Sequence, residues 1–304
     1  MKISVIMRTK NSCPTVIEAL ESLFAQQLPV DVSFELLVVD SGSTDDTLKH
    51  VARYPHRLIS IAPEAYFPGK VLNQAAQAAQ GDILVFQNSD VVLLHPEALW
   101  NLVSAIGGHT VASFARQLCR PEARLDVQRD YAISFPEQGP PPAWMTYSLP
   151  FAAMKRSAWE KAPFYTWAWG SEDTEWGHRH RSQIAYVPEA RVMHSHNYTY
   201  KQMLGRHFIE GEADAWMTRK NISSAHGLRR RCARLVSHCL RDLHYGMGSR
   251  SLLASMAGAA TGLTYRATAE WGSYRGFCLG KKRLRQAAKT GGERGQRFAL
   301  AHYD

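Results

Sequence analysis

The chain has 304 residues, of which 45% are hydrophobic and 21% charged, a balance that excludes a disordered chain and favours a globular one. No run of 18 apolar residues is present, so we expect no transmembrane helix. The opening MKISVIMRTKNS predicts a first strand, not a secretory signal peptide. The five cysteines are scattered and lack zinc-ligand spacing, so we expect reduced thiols in a cytoplasmic protein.

Charge is divided unevenly along the chain. Residues 1–215 contain 19 lysines and arginines against 23 acidic residues, whereas residues 216–304 contain 17 against four. The net charge of +9 therefore arises in the last third, which indicates an anionic partner for that part. We predict a first domain over 1–215 and a basic helical region over 216–304.

Strands and helices are predicted to alternate through the first half of the chain. Short apolar runs predict strands, and apolar residues at helical spacing predict helices. In chain order, the predicted elements are a strand at 2–7, a helix within 13–27, a strand at 34–39, a helix from 45, a short strand at 58–62, a helix at 70–79, a strand at 82–86 and a helix at 96–106. This alternation predicts an α/β fold with a mostly parallel sheet flanked by helices. Residues 116–150 are predicted to be irregular, and 149–155 to form a further strand.

Polar segments follow the predicted strands at four places, namely 8–11, 40–43, 88–90 and 171–173. Open α/β sheets bind ligands at the carboxyl ends of their strands, so we expect a ligand site there. Asp40 can accept an N–H of a nucleobase, while Thr9, Asn11 and Ser43 offer groups that can hold ribose and phosphate. Asp90 suits a divalent cation that carries phosphates. Glu172 or Asp173 can take a proton from an attacking hydroxyl.

Each of these residues also has a structural interpretation. Asp90 can cap a following segment, Asp40 can form a turn, and Asp173 can serve the dipole of a helix start. Asn88 offers only a neutral carbonyl where a carboxylate would be the better metal ligand, so we assign it to the nucleotide and leave its contact with metal open.

Four stretches, taken together and in order, resemble the family 2 glycosyltransferases, which have the GT-A fold. They are ISVIMRTKN at 3–11, LLVVDSGSTDDT at 36–47, FPGKVLNQAAQAAQGDILVFQNSD at 67–90 and SEDTEW at 171–176. The segment from Ala115 to Leu118 further resembles bacterial rhamnosyltransferase-like members of the family. Residues 1–215 would then be a GT-A domain that binds a nucleotide sugar and carries catalysis.

The resemblance implies an inverting transfer of a sugar, with rhamnose as one candidate, from a nucleoside diphosphate sugar. Asp40 would contact the base, Asp90 would bind Mg²⁺ or Mn²⁺ with the diphosphate, and Asp173 would be the general base, with Glu172 as the alternative. UDP or dTDP donors are favoured over GDP. The acceptor would be a hydroxyl of a bacterial surface glycan, either lipid-linked or lipopolysaccharide.

Two histidines, His194 and His196, follow a predicted strand. GT-A enzymes often take a further metal or phosphate contact from a histidine in this region, and alternation places both side chains on one side of an extended segment. A neutral imidazole beside Asp90 would favour Mn²⁺ over Mg²⁺. The structural alternative is one buried histidine and one exposed histidine.

The basic region includes a predicted amphipathic helix, because apolar residues recur at helical spacing between 228 and 243 while most of its arginines lie off that stripe. No nucleic-acid-binding module accompanies it, so we predict an anionic membrane surface as its partner and no nucleic acid. The protein is then expected at the inner face of the cytoplasmic membrane.

Two alternative functions are a sugar nucleotidyltransferase and a GT-A scaffold without catalysis. A sugar nucleotidyltransferase would carry a glycine-rich loop after the first strand, but residues 8–13 contain no glycine. A GT-A scaffold that binds partners without catalysis is suggested by Asn88, but Asp40, Asp90, Glu172 and Asp173 argue for an enzyme.

Overall fold

The computed structural model describes residues 1–166, 169–219 and 228–290. The chain divides into two compact units: the first contains 1–120, 132–165 and 172–194, and the second contains 121–131, 166–171 and the residues from 195 onward. None of the helices in the described ranges is both long and apolar enough to cross a membrane.

The first unit is built on one eight-stranded sheet. Its strands are β1 Lys2–Thr9, β2 Ser33–Asp40, β3 Arg57–Ser60, β4 Ile83–Asn88, β5 Val92–Leu93, β6 Ala112–Leu118, β7 Phe151–Lys155 and β8 Ile184–Met193. Across the sheet they lie in the order β3-β2-β1-β4-β7-β6-β8-β5. Pairing is parallel between β1 and β2, β1 and β4, β2 and β3, and β6 and β8. The remaining pairs, β4 with β7, β6 with β7 and β5 with β8, are antiparallel.

Helices accompany this sheet because their apolar residues recur on one side. Helix α1 spans Thr15–Phe24, and its buried Val16, Ala19, Leu20 and Leu23 follow the spacing of one helix face and belong to the main core cluster. The other helices with residues in this unit are α2 Thr47–Val51, α3 Pro68–Ala78, α4 Ala98–Ser104, α5 Leu125–Ser134, α6 Arg156–Lys161 and α7 Glu172–His180. Only the last residues of α5 belong to the first unit.

The predicted α/β class with a mostly parallel sheet and a helical C-terminal region is confirmed. The prediction of an irregular segment over 116–150 is wrong in part, because β6 continues to Leu118 and α5 covers Leu125–Ser134. The α5 sequence, LDVQRDYAIS, has no clear apolar stripe, so periodicity gave no signal for a helix there.

The second unit contains the helices α8 Tyr200–Arg219, α9 Leu228–Met247 and α10 Leu252–Thr290. Helices α8 and α10 approach closely at Gly276, where a side chain would collide with the backbone of Phe208. Asp242 is fully buried and forms ion pairs with Arg129 and Arg266. The division of the chain at residue 215 stays a prediction, and α8 is continuous through that residue.

Glu212 on α8 is a buried carboxyl whose Oε1 lies 3.0 Å from Nη1 of Arg283. Burial raises its pKa to about 8, although Arg283 offsets part of the effect. The folded state therefore binds this proton more tightly than the unfolded state does. The contribution of Glu212 to stability is greatest below about pH 4.5 and is lost as the pH rises toward 8.

We predict that Glu212→Gln becomes more stable than the wild type as the pH rises from 5 to 8, by on the order of 2 kcal/mol at pH 8. Thermal unfolding at several pH values measures this. Glu210→Gln is the matched control, for which we expect the opposite change in stability. Burial raises the pKa of Glu210, but the charges of His207 and Arg206 outweigh that effect and hold the pKa at about 2. The control should therefore be less stable than the wild type at pH 7. If the difference in stability between Glu212→Gln and the wild type stayed the same from pH 5 to pH 8, the raised pKa of Glu212 would be contradicted.

Candidate active site

Three of the four polar segments lie at one edge of the sheet. Because β1 is parallel to both β2 and β4, the three carboxyl ends come together, with Thr9 opposite Asp40 and Arg8 opposite Asn88. The prediction that these segments meet at strand ends is confirmed for 8–11, 40–43 and 88–90. It is wrong for 171–173, because Glu172 and Asp173 begin helix α7, and the described element that precedes this helix is α6.

Asp40 organises the turn that follows β2. Its buried carboxylate accepts hydrogen bonds from Thr9 Oγ1 at 3.0 Å, Gly42 N at 3.0 Å and Ser43 N at 2.9 Å, and also from the Ser43 hydroxyl. Gly42 has φ +85°, a conformation that favours glycine. The turn-forming interpretation of Asp40 therefore holds, and its contact with a base stays a prediction.

Asn11 joins the loop after β1 to the loop after β2. The backbone N–H of Asn11 donates a hydrogen bond to Ser43 Oγ at 2.9 Å, and the side-chain Oδ1 of Asn11 accepts one from the backbone N–H of Thr44 at 2.8 Å. Four predicted nucleotide-binding residues, Thr9, Asn11, Asp40 and Ser43, thus belong to one hydrogen-bonded pair of loops. Such mutual bonding fixes both backbones before any ligand arrives, which lowers the entropy cost of binding.

Asp90 and His194 face each other, with His194 Nε2 3.7 Å from Asp90 Oδ2. The other ring nitrogen, Nδ1, lies 2.9 Å from Gln117 Oε1, and Gln117 donates to Ser148 Oγ at 2.8 Å. An amide oxygen only accepts, so the bond places a proton on Nδ1 and makes Nε2 the ligand-type atom that faces Asp90. Histidines that bind metals are typically oriented in this way by a second hydrogen bond.

A divalent cation suits this pair, because a carboxylate oxygen and an imidazole nitrogen are common ligands of Mn²⁺ and Zn²⁺. Both residues belong to a group that could hold a metal ion. His196 lies in the second unit, where its ring stacks on Tyr198 with centroids 4.9 Å apart. Asn88, the last residue of β4, lies in register with Arg8, and its role stays a prediction.

Glu172 and Asp173 occupy the first turn of α7 but have different surroundings. Glu172 is buried and pairs with Arg8, whose Nη1 lies 3.5 Å from Glu172 Oε1 and 3.4 Å from Tyr66 Oη. Burial raises the pKa of Glu172 above its usual range, and the charge of Arg8 opposes that shift. Asp173 is half-buried, and Oδ1 accepts the amide N–H of Thr174 at 2.7 Å. Asp173 is therefore the more accessible of the two carboxylates.

Two residues of this site lie in segments that the sequence singled out, but the sequence gave neither of them a role. Gln117 lies inside the segment Ala115–Leu118 and orients His194, while Arg8 precedes the predicted Thr9 and contacts Glu172. Gln117 is a buried polar residue near the end of β6, beside Arg116, and the sequence alone does not mark it as buried. A buried polar group needs a partner, but the sequence does not reveal which one.

The segment 67–73, FPGKVLN, has a structural role at Asn73. The Asn73 side chain accepts hydrogen bonds from Trp159 Nε1 at 2.9 Å and Phe164 N at 3.0 Å, and it donates to Phe164 O at 2.8 Å. These hydrogen bonds join Asn73 to residues of the same unit, so the segment 67–73 stabilises the stretch of chain around Phe164 that precedes α7.

The comparisons with known proteins identify the family. The model for glycosyl transferase family 2 matches residues 4–165, more than half of the chain, and the protein belongs to this family. The resemblance seen in the sequence is confirmed.

Two similar proteins are O-antigen chain rhamnosyltransferases. WbaN from Salmonella anatum is 30% identical over 197 residues, covering 58% of this chain and 61% of that protein. RfbN from Salmonella typhimurium is 28% identical over 234 residues, covering 69% and 72%. The match therefore spans about three fifths of the length of WbaN and somewhat more of RfbN.

A solved structure supports the GT-A fold. The mannosyltransferase PcManGT from Pyrobaculum calidifontis, in complex with GDP-Man and Mn²⁺, has a TM-score of 0.58 and 20% sequence identity, covering 92% of this chain and 86% of that one. At this identity the likeness concerns the fold, and the predicted GT-A class is confirmed.

We predict that Arg8→Met destabilises the protein by about 3 kcal/mol at pH 8, because a buried carboxylate loses its cation. The loss should be smaller at pH 5, because the raised pKa lets Glu172 take up a proton there. Thermal and urea unfolding measure both values. Arg57→Met, which breaks the more exposed pair with Glu35, is the control and should cost less than about 1 kcal/mol.

In a Glu172→Gln background, the effect of Arg8→Met should no longer depend on pH. Equal losses at pH 5 and pH 8 in the wild-type background would show that Arg8 does not compensate the charge of Glu172.

Proposed function

We propose that this protein is an inverting glycosyltransferase that moves a sugar from a nucleoside diphosphate sugar to a hydroxyl acceptor. The observation that carries the proposal is the approach of Asp90 and His194 to 3.7 Å. Family 2 membership supports it independently. The metal-ligand pair lies in the same unit as the Asp40 turn and the carboxylate of Asp173.

The donor would be held by the carboxyl ends of β1, β2 and β4. In this proposal Asp40 contacts the base, while Thr9, Asn11, Ser43 and Asn88 contribute to the nucleotide site. The support is that the two loops are already bonded to each other and need little ordering.

Asp90 and His194 would hold Mn²⁺ or Mg²⁺, with Mn²⁺ favoured by the imidazole ligand. We propose His196 as a third ligand, because it follows His194 by two residues and its Cα lies within about 7 Å of the Cα of His194 along the chain. A bound cation would offset the charge that develops on the departing diphosphate.

Asp173 would be the general base. It accepts the proton of the acceptor hydroxyl as that oxygen forms a bond to the anomeric carbon and the bond to the diphosphate breaks. A single displacement inverts the anomeric centre and needs no protein nucleophile. Glu172 is less suited to this role, because it is buried against Arg8.

Rhamnose is the proposed sugar, since two similar proteins are O-antigen chain rhamnosyltransferases. We propose UDP or dTDP as the nucleotide, a bacterial surface glycan on a lipid carrier or lipopolysaccharide as the acceptor, and the inner face of the cytoplasmic membrane as the location. Residues 216–304 would contact the anionic membrane surface, which their excess of positive charge supports.

Asp173→Asn should lower sugar transfer by about 100-fold or more while donor binding is retained, because only the proton acceptor is lost. Transfer of labelled sugar from dTDP- and UDP-linked donors to a lipid-linked glycan fraction measures the first quantity, and the thermal shift with donor measures the second. Asp82→Asn, at the opposite end of β4, is the matched control and should transfer normally. Near-normal turnover by Asp173→Asn would rule out this base.

Asp90→Ala and His194→Gln should each weaken Mn²⁺ binding, measured by calorimetry, by more than about tenfold, because each removes a ligand. Gln117→Leu should weaken it about 10- to 100-fold, because the imidazole loses its orienting bond. His56→Gln is the control, since Nδ1 of His56 lies 2.9 Å from the Tyr54 carbonyl just before β3, at the other edge of the sheet. Equal Mn²⁺ affinity in all four variants, or transfer unaffected by EDTA, would contradict the metal site.

A further inference from the structure

Helices α9 and α10 form an antiparallel hairpin in the second unit. The N-terminal end of α9 meets the middle of α10, where Arg231 binds Glu270 at 2.7 Å. At the other end, Gly246 packs against Ser255. These contacts define which side of each helix faces the other.

Large apolar side chains are exposed on both helices. The most exposed are Val236 and Leu240 on α9, at 61% and 62%, and Leu253, Leu252 and Trp271 on α10, at 78%, 58% and 55%. Met247 and Met256 are about half exposed as well. Single exposed apolar residues are ordinary, but this number on one pair of helices is not.

Six of the exposed apolar residues lie on one side of the hairpin. At 100° per residue, Val236, Leu240 and Met247 lie roughly 120–160° around α9 from the contact residue Asp242. On α10, Leu253, Met256 and Trp271 lie roughly 80–140° from the contact residue Arg266, in the same rotational sense. In antiparallel helices, rotations in the same sense lead to the same side of the pair, so both apolar stripes are turned to that side and away from the contact line.

The opposite side of α10 is covered by α8, because Gly272, Gly276 and Gly280 pack against the backbone of α8. The apolar surface, which we call the hairpin face, is therefore the side of α9–α10 turned away from α8. It consists of Val236, Leu240, Met247, Leu253, Met256, Trp271 and Tyr274.

Charge on the hairpin face has one sign. The described residues 228–290 contain two acids, Asp242 and Glu270; Asp242 is buried between arginines, and Glu270 binds Arg231 and Arg234. The exposed charged residues on or beside the face are all basic: Arg229, Arg250, Arg275, Lys281, Lys282 and Arg285.

These ion pairs also revise the sequence-based view of the basic helix. Arg231 and Arg234 neutralise an internal carboxylate and are not available to a partner. The charge for an anionic partner comes instead from the C-terminal half of α10 and from the ends of the hairpin.

We propose that the hairpin face lies on an anionic lipid bilayer, with the aliphatic side chains in the acyl boundary and Trp271 and Tyr274 at the headgroups. Aromatic residues favour that depth, and lysines and arginines beside an apolar face attract anionic lipids. A second copy of the chain is a less suitable partner for the hairpin face than a bilayer. Two hairpin faces in contact would bring basic residues together with no acidic residues to pair with them. The assignment rests on the proposed membrane partner of residues 216–304 and specifies the surface that makes the contact.

The test uses the full-length protein and vesicles of phosphatidylcholine, with or without 30% phosphatidylglycerol. The triple variant Leu240→Glu, Leu253→Glu and Trp271→Glu should bind the anionic vesicles at least tenfold more weakly than the wild type. The matched control, Val30→Glu, Leu58→Glu and Leu94→Glu, replaces three exposed apolar residues elsewhere with the same charge change and should bind within twofold of the wild type. Thermal unfolding checks that both variants are folded.

A second variant separates charge from apolar contact. Lys281→Gln, Lys282→Gln and Arg285→Gln should reduce the preference for anionic over neutral vesicles and weaken the salt dependence of binding. Equal vesicle binding by the hairpin-face variant and its control, or no binding by the wild type, would overturn the proposal. So would a dimer, seen by ultracentrifugation, that the face variant loses without any vesicle binding. The donor thermal shift, measured on the same samples, shows whether the nucleotide-sugar site fails separately.

Discussion

The parallel pairing of β1 with β2 on one side and with β4 on the other is the constraint on which the candidate site depends. Three chain segments far apart in sequence end at the same edge because their strands run in the same direction. Strands buried on both faces need nearly continuous apolar sequence, and β1 supplies it in Ile3, Val5, Ile6 and Met7. Where the apolar sequence of a strand ends, the polar residue that follows lies at the carboxyl end of the sheet.

Polar groups placed at a buried edge must find partners, and this requirement shapes the site. The Asp40 carboxylate accepts hydrogen bonds from Ser43 in the turn that follows it and from Thr9, and Glu172 forms an ion pair with Arg8. Asp90 and His194 instead face one another with ligand-type atoms, at a separation that suits a shared cation better than a direct bond. Asp40 and Glu172 thus stabilise loops, while Asp90 and His194 present ligand-type atoms to each other.

The sequence predicted the strands around the edge well, because β1, β2 and β4 are short apolar runs with clear polar ends. It missed α5, where the local sequence lacks a strong period. It placed 171–173 at a strand end, although the helix start given as the structural alternative for Asp173 is what the structure has. It also gave no sign that Gln117 orients His194 across 77 positions of the chain, or that Arg231 and Arg234 would bind Glu270. These side-chain pairs form only because of the way the helices and strands pack together, and the spacing of residues in the sequence does not predict that packing.

The central claim is that the carboxyl edge of β1, β2 and β4 binds a nucleoside diphosphate together with a metal ion. The most direct test is the thermal unfolding midpoint of the wild-type protein with UDP, dTDP and GDP and with their sugar derivatives, each with and without Mn²⁺, because a ligand that binds only the folded state raises that midpoint. The account predicts that at least one uridine or thymidine diphosphate raises the midpoint and that the rise depends on Mn²⁺. An unchanged midpoint with every nucleotide, in the presence and absence of Mn²⁺, would contradict it.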